Sequence, residues 1–261
     1  MAGRGSDREW LVAVRLSVNV NKVATLRNSR GGDVPSVLEA VEACLAAGAT
    51  GITVHPRADQ RHIRPADVRD IAERLATLRG HVEYNIEGDP RPDLLAMVHD
   101  VRPDQCTLVP VLPGEVTSQG GWGPDVDDEQ LGEVIARLKA DGVRVSVFVD
   151  PEEAPIRWAA RLGADRVELF TEPFAQAFIR GEREGLASFQ QYAKAAAVAS
   201  SVGLGINAGH DLDLHNLVLF RRLPHLLEVS IGHALMARAL LVGLPVVVHE
   251  YLELLAAPLD V

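Results

Sequence analysis

Cysteine is scarce: Cys44 and Cys106 are the two thiols in 261 residues, and each sits inside an apolar stretch. Two buried, reduced thiols are expected rather than a disulfide or a metal-binding pair, which points to a cytoplasmic chain. An excess of positive charge is also missing. Lysine and arginine number 26 against 36 aspartates and glutamates, a formal net charge of -10. Nucleic acid and anionic membranes attract basic faces, so neither is the expected partner, and any phosphate site must be local. Long hydrophobic runs are absent as well. The longest, residues 239–248, is interrupted by Gly243 and Pro245 and falls well short of the ~20 residues that span a bilayer. Residues 1–10 carry Arg4, Asp7, Arg8 and Glu9 and no signal-like apolar segment. There is no P-loop pattern, and Gly203-Leu204-Gly205 lacks the dinucleotide spacing, so no nucleotide cofactor is expected.

What is present is a rhythm: a short β-branched run, a polar turn, then a segment of helical period. Strands are predicted at residues 11–19, 51–55, 81–86, 105–110, 143–149, 166–170, 203–207 and 227–231, each read as short and mostly apolar, as burial on both faces requires. Helices are predicted at 36–47, 66–78, 93–101, 128–140, 152–162, 174–201, 212–223 and from 234 past Pro245 to 256. Gly48, Gly80, Gly142, Gly163 and Gly203 follow several of them, where a left-handed stop favours a residue without Cβ. This order and length predict one (β/α)8 TIM barrel over residues 1–261, α/β in class, with an open doubly wound sheet as the alternative. Residues 173–201 are too long for one barrel helix and predict an extra one. The Gly- and Pro-rich stretch 111–127 is either a lid or a passive loop.

A barrel of this kind carries its chemistry at the C-terminal ends of the strands. Those ends are polar: Asn19 and Asn21, His55 and Arg57, Asn85 and Glu87, Glu168 and Thr171, Asn207 and His210, Gly232 and His233. Glu87 follows Ile86 and is expected to point inward, where desolvation raises a carboxyl pKa toward neutrality; its ordinary alternative is an ion pair with Arg57 or Arg30. The segment from Asn19 through Lys22, Arg27 and Arg30 to Gly31-Gly32 reads as a loop able to hold an anion. Gly232-His233-Ala234 opens a helix whose amides suit a second anion. The spacing of His55, His62, His210 and His233 is poor for a metal centre, so no metal is expected. Lys22 lies in a polar run rather than an apolar pocket, which disfavours Schiff-base chemistry.

These stretches, in order and spacing, resemble the pyridoxine 5'-phosphate synthase family: residues 18–31, Gly51-Ile52-Thr53-Val54-His55-Pro56-Arg57 with Arg61-His62-Ile63, Asn85-Ile86-Glu87, Leu108-Val109-Pro110, Glu115-Val116-Thr117, Asn207-Ala208-Gly209-His210 and Ile231-Gly232-His233-Ala234. The resemblance implies a homo-oligomeric barrel, commonly an octamer, that joins 1-deoxy-D-xylulose 5-phosphate to 3-amino-2-oxopropyl phosphate without a cofactor. It implies His55 and Glu87 as proton acceptors and His210 as proton donor. By the same resemblance Asn21, Lys22, Arg57, His62 and Thr117 contact the deoxyxylulose phosphate, and Asn19, Arg30, Asp211, Gly232 and His233 the aminoketone phosphate. The chain departs from many family members in carrying Asn21-Lys22 for Asp-His, Glu172 for a common glycine, and Asp211 where some relatives have glycine. Two other readings stay open: a metal-assisted aldolase or hydrolase using His55, Glu87, His210 and His233, and a phosphosugar-binding barrel without turnover.

Overall fold

The computed structural model describes residues 14–111, 114–115, 117–126 and 128–259. Eight parallel strands, β1 (Arg15–Asn19), β2 (Gly51–Val54), β3 (Glu83–Gly88), β4 (Gln105–Leu108), β5 (Arg144–Val149), β6 (Arg166–Phe170), β7 (Gly205–Gly209) and β8 (Leu226–Ile231), pair in sequence order. Strand β8 returns to β1, with Ser17 opposite Ser230, so the sheet is a closed (β/α)8 barrel and the open alternative falls.

The strands are not apolar on both faces, contrary to expectation. They alternate. Leu16 and Val18, Ile52 and Val54, Val145 and Val147, and Val167 and Leu169 are fully buried and belong to the large apolar core. The residues between them are polar and bond to one another around the barrel's inside. Ser17 Oγ and Thr53 Oγ1 share a hydrogen bond of 2.7 Å, Asn85 donates to Thr53 (3.4 Å), and Thr107 donates to Asn85 (3.0 Å). Arg166 donates to Asn207 at 3.2 Å. Apolar side chains therefore pack between sheet and helices, where burial stabilises by about 1.5–3 kcal/mol per large residue. The tube itself is filled by polar groups, many of them hydrogen-bonded to one another.

One end of that filling is ionic. The Glu83 carboxylate, 5% exposed, meets Arg144 Nη2 at 2.5 Å, Arg15 Nη1 at 3.1 Å and Arg166 Nη1 at 3.6 Å. Gln105 Oε1 accepts from Arg144 Nε (3.0 Å) and Arg166 Nη1 (3.3 Å). Five strands, β1, β3, β4, β5 and β6, are thereby tied at the base.

Around the barrel run α1 (Asn21–Asn28), α2 (Val37–Ala46), α3 (Pro65–Leu75), α4 (Pro92–Val101), α5 (Asp128–Ala140), α6 (Glu153–Arg161), α7 (Glu172–Arg180), α8 (Glu182–Ser201), α9 (Leu217–Phe220), α10 (His233–Val242) and α11 (Leu244–Ala256). Local chemistry sets most boundaries. Ser36 Oγ accepts from Glu39 N at 3.2 Å and caps α2. The extra helix is real: the long predicted helix is two, α7 and α8, broken at Gly181 with φ 145°. Gly243 and Pro245 likewise divide α10 from α11. The aromatic cluster of Phe174, Tyr192 and Phe220 packs beneath α7 and α8, with ring centroids 4.9–5.9 Å apart. Tyr192 Oη donates to the Phe170 carbonyl at 2.6 Å, fixing the end of β6.

Several expectations change. The segment after β1 is the helix α1, not a loop, and its buried face carries Arg27, paired to Asp67 at 2.5 and 2.9 Å. Strand β7 starts two residues later than predicted because Gly203, at φ 80°, and Leu204 complete the turn from α8. Strand β3 runs over Glu83–Gly88 rather than 81–86, and helix α9 spans a third of its predicted length. Residues 11–13 of the first predicted strand, and 112, 113, 116 and 127 of the suspected lid, lie outside the described residues.

Removing the Glu83 carboxylate strands three guanidinium groups at the base of the barrel. Glu83→Ala is expected to cost about 3 kcal/mol or more, as breaking a buried ion pair from one side does. Urea unfolding at neutral pH checks this; a loss under about 1 kcal/mol would show that the arginines find other partners.

Candidate active site

The C-terminal ends of the strands enclose a cavity of about 440 Å³. Every residue the resemblance pointed to lines it except Arg30, which is exposed and outside it. The cause is α1: the helix carries Lys22 and Thr25 along the cavity wall, and Arg30 falls in the turn beyond its end.

Asn19 and Asn21 act first as scaffold. Asn19 Oδ1 accepts from Asn21 N at 3.0 Å, and Asn21 Oδ1 accepts from His55 N at 2.9 Å, which locks the end of β1 to the end of β2. That tie uses an acceptor oxygen, which asparagine and aspartate both supply. Asn19 Nδ2 donates to Glu87 Oε2 at 3.3 Å, and His55 Nδ1 lies 4.0 Å from the same oxygen.

Burial tunes both partners in one direction, toward neutrality. The Glu87 carboxyl is pushed well above the usual carboxylate range by desolvation, helped by the nearby charges of Glu168 and Glu228. His55 is pushed well below the usual imidazole value by desolvation, then by His62 and by Arg57, Arg91 and Arg61. Both shifts favour the uncharged forms, imidazole on His55 and carboxyl on Glu87. His62, its ring centroid 6.0 Å from that of His55, is lowered to about 4, by burial first and then by Arg57 and Lys22. The alternative ion pair of Glu87 with Arg57 or Arg30 does not form: Arg57 Nη2 lies 3.6 Å from Glu115 Oε1.

Across the cavity, His210 and Asp211 end β7 with φ of 79° and 60°, a left-handed pair held by Thr171, whose hydroxyl donates to the Gly209 and His210 carbonyls. The His210 ring packs edge-on against Phe170 at 5.1 Å, and its Nε2 is 2.7 Å from Thr117 Oγ1. Burial lowers the His210 pKa, and Asp211 and Glu172 oppose that. Space is tight around two glycines here. A Cβ on Gly209 would lie 2.7 Å from Glu168 Oε1, and one on Gly232 would lie 3.2 Å from Asn19 Cβ. Gly232 precedes α10, and Gly232, His233 and Ala234 face the cavity, so the amide end of that helix opens onto it.

Sequence reasoning assigned no role to Glu168, Ser118, Phe148 or Ser230, which also line the cavity. Glu168, buried and raised to about 7, sat in plain view in the alternation of β6; it lacked a motif of its own. Among the described residues, Glu172, His210 and Asp211 bring one ligand atom each within 4.8 Å of one another, a different set from the His55, Glu87, His210 and His233 group considered above. Asp211 is exposed, as unliganded acidic groups commonly are.

The chain matches the family described as "Pyridoxal phosphate biosynthesis protein PdxJ" over residues 16–257. It belongs to that family. Relatives include the pyridoxine 5'-phosphate synthase of Porphyromonas gingivalis, 49% identical over 93% of this chain and 99% of the relative, and that of Christiangramia forsetii, 50% identical over 92% and 99%. The synthase of Bacteroides fragilis is 50% identical over 91% and 97%. Among solved structures, one titled "Native KDPGal structure" covers 94% of this chain and 96% of its own, with a TM-score of 0.61 at 12% identity. A phosphoribosyl anthranilate isomerase of Thermus thermophilus covers 93% and 98%, with a TM-score of 0.58 at 17% identity. These two likenesses show the barrel fold alone. Membership of the PdxJ family makes the chain an enzyme of vitamin B6 biosynthesis. No helix of the described residues is long and apolar enough to cross a membrane.

The buried carboxyls make stability depend on pH with a definite sign. Glu228 is raised to about 8 in the folded chain from an ordinary value near 4.5. Between those values the unfolded chain has lost the proton that the folded chain keeps, so stability falls as pH rises through this window. Glu228→Gln is expected to flatten the decline between pH 5 and 8 by roughly 2 kcal/mol. Urea titrations at pH 5, 6.5 and 8 decide it; parallel curves for variant and wild type would contradict the assignment.

Proposed function

We propose that the chain condenses 1-deoxy-D-xylulose 5-phosphate with 3-amino-2-oxopropyl phosphate to give pyridoxine 5'-phosphate, inorganic phosphate and water. The observation that carries this reading is the buried His55–Glu87 pair, 4.0 Å apart, in one cavity with His210 and an anion-attracting feature at either side. Arg57, Lys22 and His62 supply one such side, for the deoxyxylulose phosphate. The amide end of α10 with Gly232, His233, Asp211 and Asn19 supplies the other, for the aminoketone phosphate. Two anchored phosphates turn a bimolecular condensation into an effectively intramolecular one.

Joining an amine to a ketone, expelling phosphate and closing a ring require proton transfers at several atoms. His55, neutral at working pH, accepts the first of them through a ring nitrogen. Glu87, whose burial favours the protonated form, becomes an acceptor once the cationic nitrogen of the bound amine arrives, because an adjacent positive charge favours the carboxylate. His210 donates to the departing oxygen, its imidazole oriented by Thr117. The chemistry is acid–base in kind and asks for no cofactor.

Residues 1–261 then serve as one barrel unit in the cytoplasm. A homo-oligomer, an octamer by family resemblance, is supported by the exposed apolar corner between α10 and α11, where Leu240 is 75% and Leu241 86% exposed. Arg30, outside its own cavity, would in such an assembly have to act on a neighbouring protomer's substrate. Leu241→Glu is expected to lower the mass measured by light scattering; an unchanged assembly would place the contact elsewhere.

Phosphate release together with chromatography of pyridoxine 5'-phosphate tests the reaction. Wild type is expected to form product from the two ketones, and His210→Ala to turn over at least ~100-fold more slowly, as loss of a general acid predicts. No product from folded wild type would leave a binding-only barrel; product unaffected by the substitution would move the acid elsewhere.

A further inference from the structure

One sector of the cavity wall is apolar. Val109, Phe148 and Phe170 form a buried cluster of their own, separate from the large core between sheet and helices. Strand register explains why they meet. Leu108 of β4 is paired with Val147 of β5, so the residues that follow, Val109 and Phe148, emerge side by side where these strands end, and both line the cavity. The Val109 amide donates to the Gly88 carbonyl at 2.9 Å, which places Val109 beside the residue that follows Glu87. On the other flank Phe148 is paired with Glu168 of β6. The Phe148 and Phe170 ring centroids are 5.5 Å apart, and Phe170 in turn packs against the His210 ring. The apolar sector is thus bordered by Glu87, Glu168 and His210. Leu212, Ile231 and Ala234 also line the cavity, but they flank the turn of Gly232 and His233 at the amide end of α10, which suits an anion.

We propose that Val109 and Phe148 seat the methyl group of the deoxyketose phosphate, and so select the 1-deoxy sugar against its 1-hydroxy counterpart. The inference rests on the reading above of the two substrates. Each of them ends in a phosphate; at its other end the aminoketone carries an amine and the deoxyketose a methyl group. Of these ends the methyl alone gains by leaving water for an apolar wall. It is bonded to the ketone carbon that an amine attacks, so seating it holds that carbon in the sector bordered by Glu87, Glu168 and His210, where protons can be exchanged. A hydroxyl on the same carbon would be buried against valine and phenylalanine without a partner, which costs the full desolvation of that group. Val109 and Phe148 exchange no proton themselves: in this scheme they determine specificity, and the anion-attracting residues supply the affinity for phosphate.

The test compares 1-deoxy-D-xylulose 5-phosphate with D-xylulose 5-phosphate, the same ketose with a hydroxyl on that carbon, using the full chain and phosphate release as the readout. Wild type is expected to favour the deoxy sugar by roughly 100-fold in kcat/KM, about what an apolar site achieves against an added hydroxyl. Val109→Thr keeps the shape of the side chain and adds a hydroxyl. It is expected to cut the preference to roughly tenfold, because the sugar hydroxyl then finds a partner. The preference is a ratio of two substrates on one preparation, so a general loss of active protein does not move it. Equal use of the two sugars by wild type, or an unchanged preference in Val109→Thr, overturns the proposal. Should Val109→Thr fail to fold, Phe148→Leu, which widens the seat, is expected to lower the preference severalfold; no change overturns the proposal equally. Calorimetry of each sugar phosphate on wild type, with no aminoketone present, separates this inference from the reaction. Tighter binding of the deoxy sugar without any pyridoxine 5'-phosphate formed would sink the functional reading and keep the seat, whereas product formed with no preference between the sugars would do the reverse.

Discussion

The structure depends on a closed barrel whose inside is polar. A sheet that closes on itself encloses a tube, and here the tube is lined by Ser17, Thr53, Asn85, Thr107, Asn207, Glu83 and Glu228 rather than by branched apolar side chains. Such groups are tolerated in a low-dielectric interior when they find partners, so the strand register that brings Ser17 to Thr53 and Thr107 to Asn85 carries much of the tube's polar pairing. The Glu83 carboxylate and the three guanidinium groups about it set that register at the base. Breaking the pattern by one residue would exchange the polar and apolar faces of a strand and bury both in the wrong place.

The same constraint prepares the chemistry. Carboxyls that line a polar but water-poor tube cannot all ionise, because each charge raises the cost of the next. Glu87, Glu168 and Glu228 are all displaced upward by burial; the charges of Glu168 and Glu228 add to the shift of Glu87, and those of Glu83 and Glu168 to the shift of Glu228. His55 is displaced downward by burial and by the cations that ring the cavity. Burial thereby favours the uncharged forms of both His55 and Glu87. Stability and reactivity share one origin, which is why Glu228, remote from the substrate-facing rim, still bears on Glu87.

Legibility in the sequence followed the physics that writes a local signal. The helix stops at Gly48, Gly142 and Gly163 are decided within a few residues and are visible there, whereas the break at Gly181 was hidden inside a continuous helical period from 174 to 201. The polar interior was visible too, as the alternation in Arg15-Leu16-Ser17-Val18-Asn19 and in Arg166-Val167-Glu168-Leu169, yet it reads as an apolar run when the outward-facing residues dominate the count. Helix α1 was hidden for the opposite reason. Its buried face carries Arg27, made neutral in effect by Asp67 forty residues on, so hydrophobic periodicity has nothing to register. Glu168 could be named from sequence, but its role depends on neighbours from other strands.

By itself the sequence determined the order of βα units, the class of the fold, the family and the polar residues at the strand ends. These rest on periodicity and on short motifs, which are properties of contiguous chain. Tertiary structure alone decided that the sheet closes, that Glu87 faces His55 rather than an arginine, that Arg57 is answered by Glu115, and that Arg30 stands outside its own cavity. Each of these is a contact, or a missing one, between groups far apart in sequence, and its strength comes from how much water the closed barrel leaves around it.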